Sequence, residues 1–312
     1  MIVHSDIRQL PFFKNAVITI GTFDGVHIGH RQIIELMQTE AARVTGETVI
    51  ITFDPHPRQV IATDQPPVFL LNTLKEKIEL LQNFEIDHLV IVPFTSAFAD
   101  QTAEAYIEDF LVNTFHPHTI IIGYDHHFGR GRSGNYKLLE EKAIEFNYLV
   151  KEIPVYMLQD ITISSTKIRE ALLQADIVTA SGFLGYNYFF SGNVVEGNKL
   201  GRTIGYPTAN IQVEDENKLI PGNGVYAVEV SRTQTPAVKL KGMMNIGTRP
   251  TIGGIHSVIE VNIFDFDEDI YGESLRITLK KHLRSEQKFN GLDALKDQLA
   301  KDKKNALDFL LF

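Results

Sequence analysis

The sequence predicts two domains of different fold class, an α/β domain on a parallel sheet followed by an antiparallel β-barrel or sandwich. In the first half, short β-branched runs alternate with helical patterns of 10–15 residues, which is typical of βαβ units. Near residue 181 short strands joined by glycine turns replace this alternation. The length of 312 residues also exceeds the ~100–200 residues of one domain. We therefore expect domains at 1–182 and 183–312.

The composition excludes several classes of protein. The 44% hydrophobic and 22% charged content fits a soluble globular protein, and the absence of cysteine excludes disulfides and thiolate metal sites. A net charge of −9 argues against a nucleic-acid binder. No apolar run approaches the ~18 residues that span a membrane, and no secretion signal is evident at the N-terminus. These features favour a cytoplasmic protein that binds neither nucleic acid nor membrane.

The first half alternates strands and helices throughout. Val17–Ile20 reads as a buried strand, and apolar residues at helical spacing then predict a helix over 29–44. Thr73 and Glu76 form a capping-box pattern at the start of a later helix. The remaining predicted strands are 48–53, 88–92, 119–123 and 149–153, and the remaining helices are 74–81, 102–114 and 136–147.

The turn between the first strand and the first helix is a candidate phosphate site. A strand, a glycine turn and a helix N-terminus present backbone N–H groups and a positive dipole end to an anion. His27 and His30 follow in an H-x-G-H arrangement, and imidazoles donate hydrogen bonds to phosphate oxygens. The turn matches neither G-x-G-x-x-G nor the P-loop. The alternative is a tight turn with two surface histidines.

Two further loops also follow predicted strands. Asp54–Pro57 is stiffened by two prolines, and 123–134 is rich in glycine and arginine. Ligands in open α/β sheets bind beyond the carboxyl ends of the strands, so both loops should converge with the first turn on one crevice. The hydroxyl cluster at 163–169 is either a plain helix cap or, with Lys167 and Arg169, a second anion-binding helix terminus.

In the second half, Gly201–Asn210 is the most informative stretch. Thr208 and Asn210 point the same way on an extended strand, and both offer the oxygen ligands that suit Mg²⁺ on nucleotide phosphates. The alternative is a glycine–proline turn that leads into a strand with exposed polar residues. The other candidate strands are 188–195, 224–230, 237–245, 258–265 and 274–279, and the last stretch is helical.

Glu260 lies in one of these strands, with Val258 and Asn262 on its face and Ile259, Val261 and Ile263 on the other. It is either an exterior charge of the barrel or a general base at the barrel mouth. The acidic run 265–269 favours a solvated hairpin turn over a metal site. Residues 283–289 are a candidate latch over a ligand.

These motifs together resemble those of the bacterial bifunctional riboflavin kinase/FMN adenylyltransferase family. The resemblance covers essentially the whole chain. It rests on GTFDGVHIGH at 21–30, TFDPHP at 52–57, VPFTSAFA at 92–99, GYDHHFGRGRSG at 123–134, ISSTKIR at 163–169, GRTIGYPTAN at 201–210, PGNGVY at 221–226, EVNIFDFDEDIYG at 260–272 and LRSEQKF at 283–289.

The resemblance implies a nucleotidylyltransferase-type α/β domain with a Rossmann-like sheet and a six-stranded riboflavin kinase barrel. The implied substrates and products are riboflavin, FMN, FAD and ATP, with Mg²⁺ as cofactor on Thr208 and Asn210. The implied catalytic residues are His27, His30, Arg169 and Glu260. The implied nucleotide-binding residues are Gly21, Thr22, Phe23, Asp24, Gly25, Asp125, Ser164, Thr166, Arg169, Gly201, Arg202, Gly205, Pro207, Thr208 and Asn210. The implied flavin-binding residues are Gly222, Gly224, Val225, Tyr226, Arg284 and Glu286.

Asp125 departs from the family pattern, because many members carry Asn there. A carboxylate is unfavourable beside a triphosphate, so contact with ribose, metal or a neighbouring arginine is expected instead. Two rival functions are an adenylyltransferase for a pantetheine or nicotinamide phosphate and a non-enzymatic flavin-sensing or RNA-binding regulator. The first gives no role to the barrel, and the net charge counts against RNA.

Overall fold

The structure, a computed structural model, describes residues 1–61, 67–123, 126–153, 163–197, 200–251 and 254–310, with 249–251 and 254–257 described by their backbone alone. Contacts between Cα atoms divide the chain into two units, Met1–Ser164 and Ser165–Phe312. Asp125, in the predicted loop 123–134, lies outside the described residues.

The first unit is organised on a parallel sheet, as predicted. Its described strands run in the order β1-β4-β3-β2-β5-β6, and every neighbouring pair is parallel. The bounds are β1 (Ile2–His4), β2 (Val17–Ile20), β3 (Thr48–Asp54), β4 (His88–Pro93), β5 (Thr119–Gly123) and β6 (Leu149–Ile153). Strand β1 was not predicted, because three residues are too few to show a period.

Helices cover both faces of this sheet. Their bounds are α1 (Ile28–Val44), α2 (Pro57–Ile61), α3 (Leu74–Gln82), α4 (Ser96–Ala99), α5 (103–115, with a π-helical segment at Tyr106–Val112) and α6 (Tyr136–Phe146). Successive residues of β2, such as Val17 and Ile18, point to opposite faces of the sheet and enter two separate apolar clusters. This two-sided burial explains why the strands read as continuous apolar runs.

The strand order defines where a ligand should bind. The chain passes from β2 to β3 and β4 on one side of the sheet and then crosses to β5 and β6 on the other side. The reversal lies at β2 and β5, which pair through Ile18 and Ile120. Such a switch point opens a crevice beyond the strand ends. The turn after β2 therefore starts at the predicted position, and the loops after β3 and β5 leave from the same edge.

The second unit contains a closed antiparallel barrel with the strand order β10-β11-β8-β7-β12-β9. Because this sheet closes on itself, the second unit is a barrel and not a sandwich. The bounds are β7 (Phe189–Val195), β8 (Ala209–Gln212), β9 (Gly224–Arg232), β10 (Thr235–Thr251), β11 (Gly254–Ile263) and β12 (Ser274–Arg284). Along β12 the alternate residues Leu275, Ile277 and Leu279 are fully buried, which is the period that a barrel requires.

Two helices precede the barrel, a short one lies between β7 and β8, and one follows the last strand. Their bounds are α7 (Ser165–Leu173), α8 (Ile177–Leu184), α9 (Leu200–Thr203) and α10 (Leu292–Leu310). The C-terminal stretch is one long helix that packs on β9, β10 and β12. Within the described part of the chain, every helix is too short or too polar to cross a membrane.

Candidate active sites

The first candidate site is the turn that joins β2 to α1. Phe23 and Val26 in this turn adopt positive φ angles of 48° and 38°, which non-glycine residues rarely do. Strain of this kind persists where the surrounding fold fixes it, often at binding sites. His27 caps α1, and its carbonyl accepts the N–H groups of His30 and Arg31 at 2.8 and 3.2 Å. The earlier N–H groups of the helix are directed toward its open end, as anion binding requires.

Three aromatic rings lie close together in the turn. The rings of His27 and His30 are stacked nearly parallel, with centroids 3.7 Å apart, and the Phe23 ring is tilted by 39° to that of His30, with centroids 4.8 Å apart. Gly29 makes room for this arrangement, because a Cβ there would come within 3.2 Å of the His27 ring. The H-x-G-H spacing therefore brings two imidazoles together at the helix N-terminus. The alternative reading of the turn, with two surface histidines, is therefore wrong, because the two rings stack on each other and His27 is buried.

The electrostatics of the stack favour an uncharged His30 imidazole. Burial, His27 and the Lys77 ammonium, in that order, lower the pKa of His30 well below its usual 6.5. The Nδ1 atom of His30 is buried and has no hydrogen-bond partner within the described residues. A neutral imidazole carries one N–H donor and one acceptor. His30 is therefore suited to give a hydrogen bond to an anion at neutral pH.

Lys77 is a buried cation that sequence reasoning missed. Its Nζ lies 3.3 Å from Thr52 Oγ1, and this hydroxyl donates to the Thr22 carbonyl at 3.1 Å. Burial lowers the pKa of Lys77, while Asp24 and Asp54 act in the opposite direction. In the sequence Lys77 is one of several polar residues on a helix, and only the packing of α3 under the turn places it here.

Asp24 has a clear role within the fold. It is 2% exposed, and its Oδ1 accepts the backbone N–H groups of Leu71 and Asn72 at 2.9 and 3.2 Å. It thus ties the turn to the segment that precedes α3. Its predicted contact with nucleotide stays a prediction, as do those of Gly21, Thr22, Phe23 and Gly25.

The other residues predicted for this site lie on later segments. Helix α7 begins at Ser165, with Ser164 and Thr166 exposed and Arg169 half-buried. That these three residues bind the same phosphate groups as the turn after β2 stays a prediction. Asp125 lies outside the described residues. Arg130 and Arg132, on the loop after β5, are exposed.

The second candidate site lies on the barrel wall, where β8 meets β11. Glu260 pairs directly with Asn210 across this antiparallel ladder. Residues in such a pair have Cβ atoms roughly 5 Å apart, so a carboxylate and an amide lie side by side. The carbonyl of Pro207 accepts a 2.6 Å hydrogen bond from Asn262 Nδ2, on the same face of β11 as Glu260. This bond fixes the segment that carries Thr208.

Gly197 lies against the amide of Asn210. A Cβ at Gly197 would overlap that amide. The absence of a side chain therefore allows the end of the segment after β7 to approach the Asn210 side chain closely. The backbone at Gly197 therefore packs against Asn210, one member of the predicted pair of Thr208 and Asn210.

Two cavities flank this point, and Thr208 lines both. Cavity A, of about 500 Å³, is lined by Val194, Arg202, Pro207, Thr208, Ala209, Val261, Ile263 and the turn 266–271. Its rim is polar, and the turn is held by Arg232, whose guanidinium binds Glu268 at 2.7 Å and Glu273 at 2.5 Å. The acidic run 265–269 is a largely exposed loop, but it is not the predicted hairpin turn, because the strands that it joins, β11 and β12, are not neighbours in the barrel. Among the described residues, no cluster of three His, Cys, Asp or Glu side chains is arranged to hold a metal.

Cavity B, of about 340 Å³, has a more apolar lining. It is lined by Leu200, Gly201, Ile204, Tyr206, Thr208, Val225, Met243, Met244, Asn245, Glu260, Asn262, Arg284, Glu286, Gln287, Phe289, Leu295 and Leu299. Val261 and Ile263 line cavity A whereas Glu260 and Asn262 line cavity B, as the period of a strand requires. Residues 284–289, the candidate latch, form part of the wall.

Of the residues predicted to bind flavin, Val225, Arg284 and Glu286 line cavity B. Gly222, Gly224 and Tyr226 are not among its described lining residues. Tyr226 is fully buried and its hydroxyl donates to the Gly222 carbonyl, so it holds the entry to β9. The contacts of these three residues with flavin stay predictions, as do those of Gly205 with nucleotide.

Sequence reasoning missed the contributions of helix α10 and of the adjacent residues Met243 and Met244 to cavity B. Leu295 and Leu299 carry the 3.6-residue period of an ordinary packing face, so nothing in the sequence distinguishes them from core residues. Asn262 was noted as a neighbour of Glu260, but its bond to Pro207 depends on strand register. No local signal reports that register.

An α/β unit with a helix N-terminus at its switch point, and a barrel with two cavities that share Thr208 and with Glu260 in one of them, are what is expected of a two-site transferase that uses a nucleotide. Residues 10–167 match the family model for FAD synthetase, and residues 184–310 match that for riboflavin kinase. The chain belongs to the family of bifunctional riboflavin kinase/FMN adenylyltransferases.

Relatives across bacteria match nearly the whole chain. The bifunctional riboflavin kinase/FMN adenylyltransferase of Escherichia coli strain K12 is 38% identical over 305 residues, covering 97% of this chain and 95% of the relative. Its counterpart in Bacillus subtilis is 33% identical, covering 94% of this chain and 92% of the relative. A crystal structure described as a macrolide-efflux protein from Streptococcus pneumoniae has a TM-score of 0.85 at 30% identity and covers 97% of both chains.

Proposed function

We propose that this protein phosphorylates riboflavin to FMN in its barrel unit and then transfers the adenylyl group of a second ATP to FMN in its α/β unit. The products of the second step are FAD and pyrophosphate. The single observation that carries the proposal is the position of Glu260, which lines cavity B beside Thr208, the residue shared by both cavities. A phosphoryl donor in one cavity and an acceptor in the other would meet there.

The cavities differ in ways that suit two substrates. The apolar wall of cavity B, with Met243, Leu295 and Phe289, suits the flat isoalloxazine ring of a flavin. Cavity A, with Arg202 at its wall, suits the polar nucleotide. The ribityl chain would then extend from cavity B toward Thr208.

Riboflavin phosphorylation needs a base. The nucleophile is a neutral ribityl hydroxyl, which becomes effective as its proton is accepted. Glu260 is the carboxylate at this point of cavity B, and we assign it that role. The hydroxyl oxygen forms a bond to the γ-phosphorus, the bond to the β-phosphate oxygen breaks, ADP leaves, and the proton passes to Glu260.

The side chains of Thr208 and Asn210 would hold Mg²⁺. A hydroxyl and an amide are hard neutral donors, which suits an ion that keeps several waters and takes its remaining ligands from phosphates. The close approach of Gly197 to Asn210 fixes the direction of that amide. Bound Mg²⁺ would neutralise charge on the β- and γ-phosphates of ATP.

Adenylyl transfer makes a different demand. The nucleophile is the FMN phosphate, which is largely dianionic at neutral pH because its second pKa is about 6. No base is needed, and the site must stabilise charge on the α-phosphate and on departing pyrophosphate. The N-terminus of α1, His27 and His30 supply donors, and we assign Arg169, Ser164 and Thr166 to the same phosphates.

The lowered pKa of His30 supports this role, because it makes the ring a weaker proton acceptor while the neutral ring keeps one N–H donor for a phosphate oxygen. We further propose that the enzyme acts in the cytoplasm, where ATP is available.

Two parallel incubations test the proposal. The protein is mixed with ATP and Mg²⁺ and with either riboflavin or FMN, and the flavins are separated by chromatography. Riboflavin should yield FMN and FAD, and FMN should yield FAD with one pyrophosphate each. FMN alone from riboflavin would leave the α/β unit to a different acceptor, such as pantetheine phosphate. Absence of both products would favour a flavin-binding regulator.

A further inference from the structure

Helix α10 forms part of the wall of cavity B. Leu295 and Leu299, on its first half, line the cavity. Ala306, on its second half, is fully buried in a cluster with Met243 and Phe264 of the barrel. The helix is therefore fixed to the barrel at one end and borders the cavity at the other.

Between these points the helix carries a buried charge. Asp302 is 1% exposed, and its carboxylate accepts three hydrogen bonds from Arg284. Arg284 Nε lies 3.0 Å from both carboxylate oxygens, and Nη2 lies 2.7 Å from Oδ2. Gln298 Nε2 donates a fourth bond to Asp302 at 2.9 Å. A buried ion pair gives little net stability, so stability alone is a weak reason for it.

Arg284 connects this charge to the cavity. It is the last residue of β12, it lines cavity B, and its Nη1 donates to the Ser285 carbonyl at 3.0 Å. Its guanidinium also lies 5.7 Å from the Phe289 ring, another lining residue. The guanidinium has five N–H groups in a rigid fork, so fixing one edge of the fork fixes the direction of the rest.

We propose that Asp302 is a positioning residue for flavin binding, which acts by holding Arg284 and the segment 285–289 as a wall of cavity B. The flavin contacts Arg284 and its neighbours, while Asp302 does not line the cavity and binds Arg284 and Gln298. This inference rests on the proposed assignment of cavity B to the flavin.

The test is the kinase reaction of the full-length protein carrying Asp302→Asn. This variant keeps the size of the side chain and removes the charge that binds the fork. The KM for riboflavin should rise about tenfold, which corresponds to one lost charge-assisted hydrogen bond. The KM for ATP and the conversion of FMN to FAD should not change. Asp297→Asn, an exposed position on the same helix, is the matched control.

A purely structural role predicts a different result. Asp302→Asn would then lower the thermal unfolding temperature and leave the KM for riboflavin unchanged, which would overturn the proposal. Combining Asp302→Asn with Arg284→Met should add little to the effect of Arg284→Met, because Asp302 acts through Arg284. Full additivity would also overturn it.

If Asp302→Asn does not fold, Asp302→Glu keeps the charge but displaces the fork, and it should still raise the KM for riboflavin selectively. An unchanged KM in that variant would count against the proposal. Absence of kinase activity in the unmodified protein would instead refute the proposed function of the barrel.

Discussion

Glu260 and Asn210 face each other across the ladder between β11 and β8, and this pair joins the two halves of the proposed kinase site. Glu260 lines the cavity that we assign to the flavin. Asn210, with Thr208, is assigned to Mg²⁺ and the nucleotide. Since both are carried by paired strands of a closed barrel, their separation is set by the hydrogen-bonded ladder rather than by a loop.

Replacing Glu260 by Gln should abolish FMN formation and leave the conversion of FMN to FAD nearly intact. The amide keeps the shape but accepts no proton, and loss of a general base typically costs roughly 10²–10⁴-fold in rate. The rate of each step is measured separately, from riboflavin and from FMN. Glu216→Gln, an exposed position in the same unit, serves as control. Loss of both activities in a folded variant would refute the assignment of separate sites.

Replacing Gly197 by Ala should selectively weaken the kinase step. The new methyl group would overlap the Asn210 amide, which must then move away from its place beside Glu260. We expect kcat for FMN formation to fall about tenfold or more, since small displacements of positioning groups cost about that much. Gly182→Ala is the matched control, because a Cβ there meets nothing within 4 Å. Equal effects of the two variants would contradict the proposed role of Gly197.

Replacing His30 by Ala should have the opposite selectivity. Removal of one donor to a developing negative charge costs about 10²–10³-fold in rate. FMN should therefore accumulate from riboflavin and ATP, with little FAD. The flavins are quantified by chromatography over time. Normal FAD production by this variant would exclude His30 from the mechanism.

The burial of His30 should also make the stability of the α/β unit depend on pH. The folded pKa lies well below 6.5, so between these values the unfolded chain binds more protons. The free energy of unfolding should be unaffected by His30 above about pH 6.5. It should decrease as the pH falls from 6.5 toward the folded pKa of His30. Replacement by Asn removes this contribution, which is about 1 kcal/mol at pH 5.5.

Thermal unfolding at pH 7.5 and pH 5.5 measures this contribution. The loss of Tm between the two pH values should be about 2–4 °C smaller in His30→Asn than in the unmodified protein. Direct titration of the His30 ring by NMR provides the folded pKa. A value near 6.5 would contradict the electrostatic account of the stack.

The parts of the molecule that could be predicted from sequence are those whose determinants are close together in the chain. The β2 strand, its glycine turn and α1 occupy 28 consecutive residues, and each element carries its own period or punctuation. The pairing of Glu260 with Asn210 depends on the register between strands far apart in the chain. The family resemblance assigned both residues to the kinase site but did not indicate that they pair.

Contacts between distant elements explain the remaining omissions. The charge environment of His30 depends on Lys77 of α3, and the wall of cavity B depends on Asp302 of α10. In sequence, both residues stand in polar helical patterns that are typical of solvated faces. Burial of such a residue becomes visible only when its helix is packed.

Asn262 provides a test of how the PTAN segment is held. Asn262 is 6% exposed, and its amide donates a 2.6 Å hydrogen bond to the Pro207 carbonyl, directly before Thr208. Asn262→Leu keeps a similar volume but leaves that carbonyl without its donor, at a cost of about 1–3 kcal/mol. Because Thr208 lines both cavities, we expect a rise of about tenfold in the KM for ATP and a lower kcat for FMN formation, with FAD formation from FMN unchanged. Asn217→Leu, at an exposed position of the same unit, controls for the substitution itself. A variant that is less stable but has unchanged kinase constants would show that Asn262 supports the barrel alone and does not position Thr208.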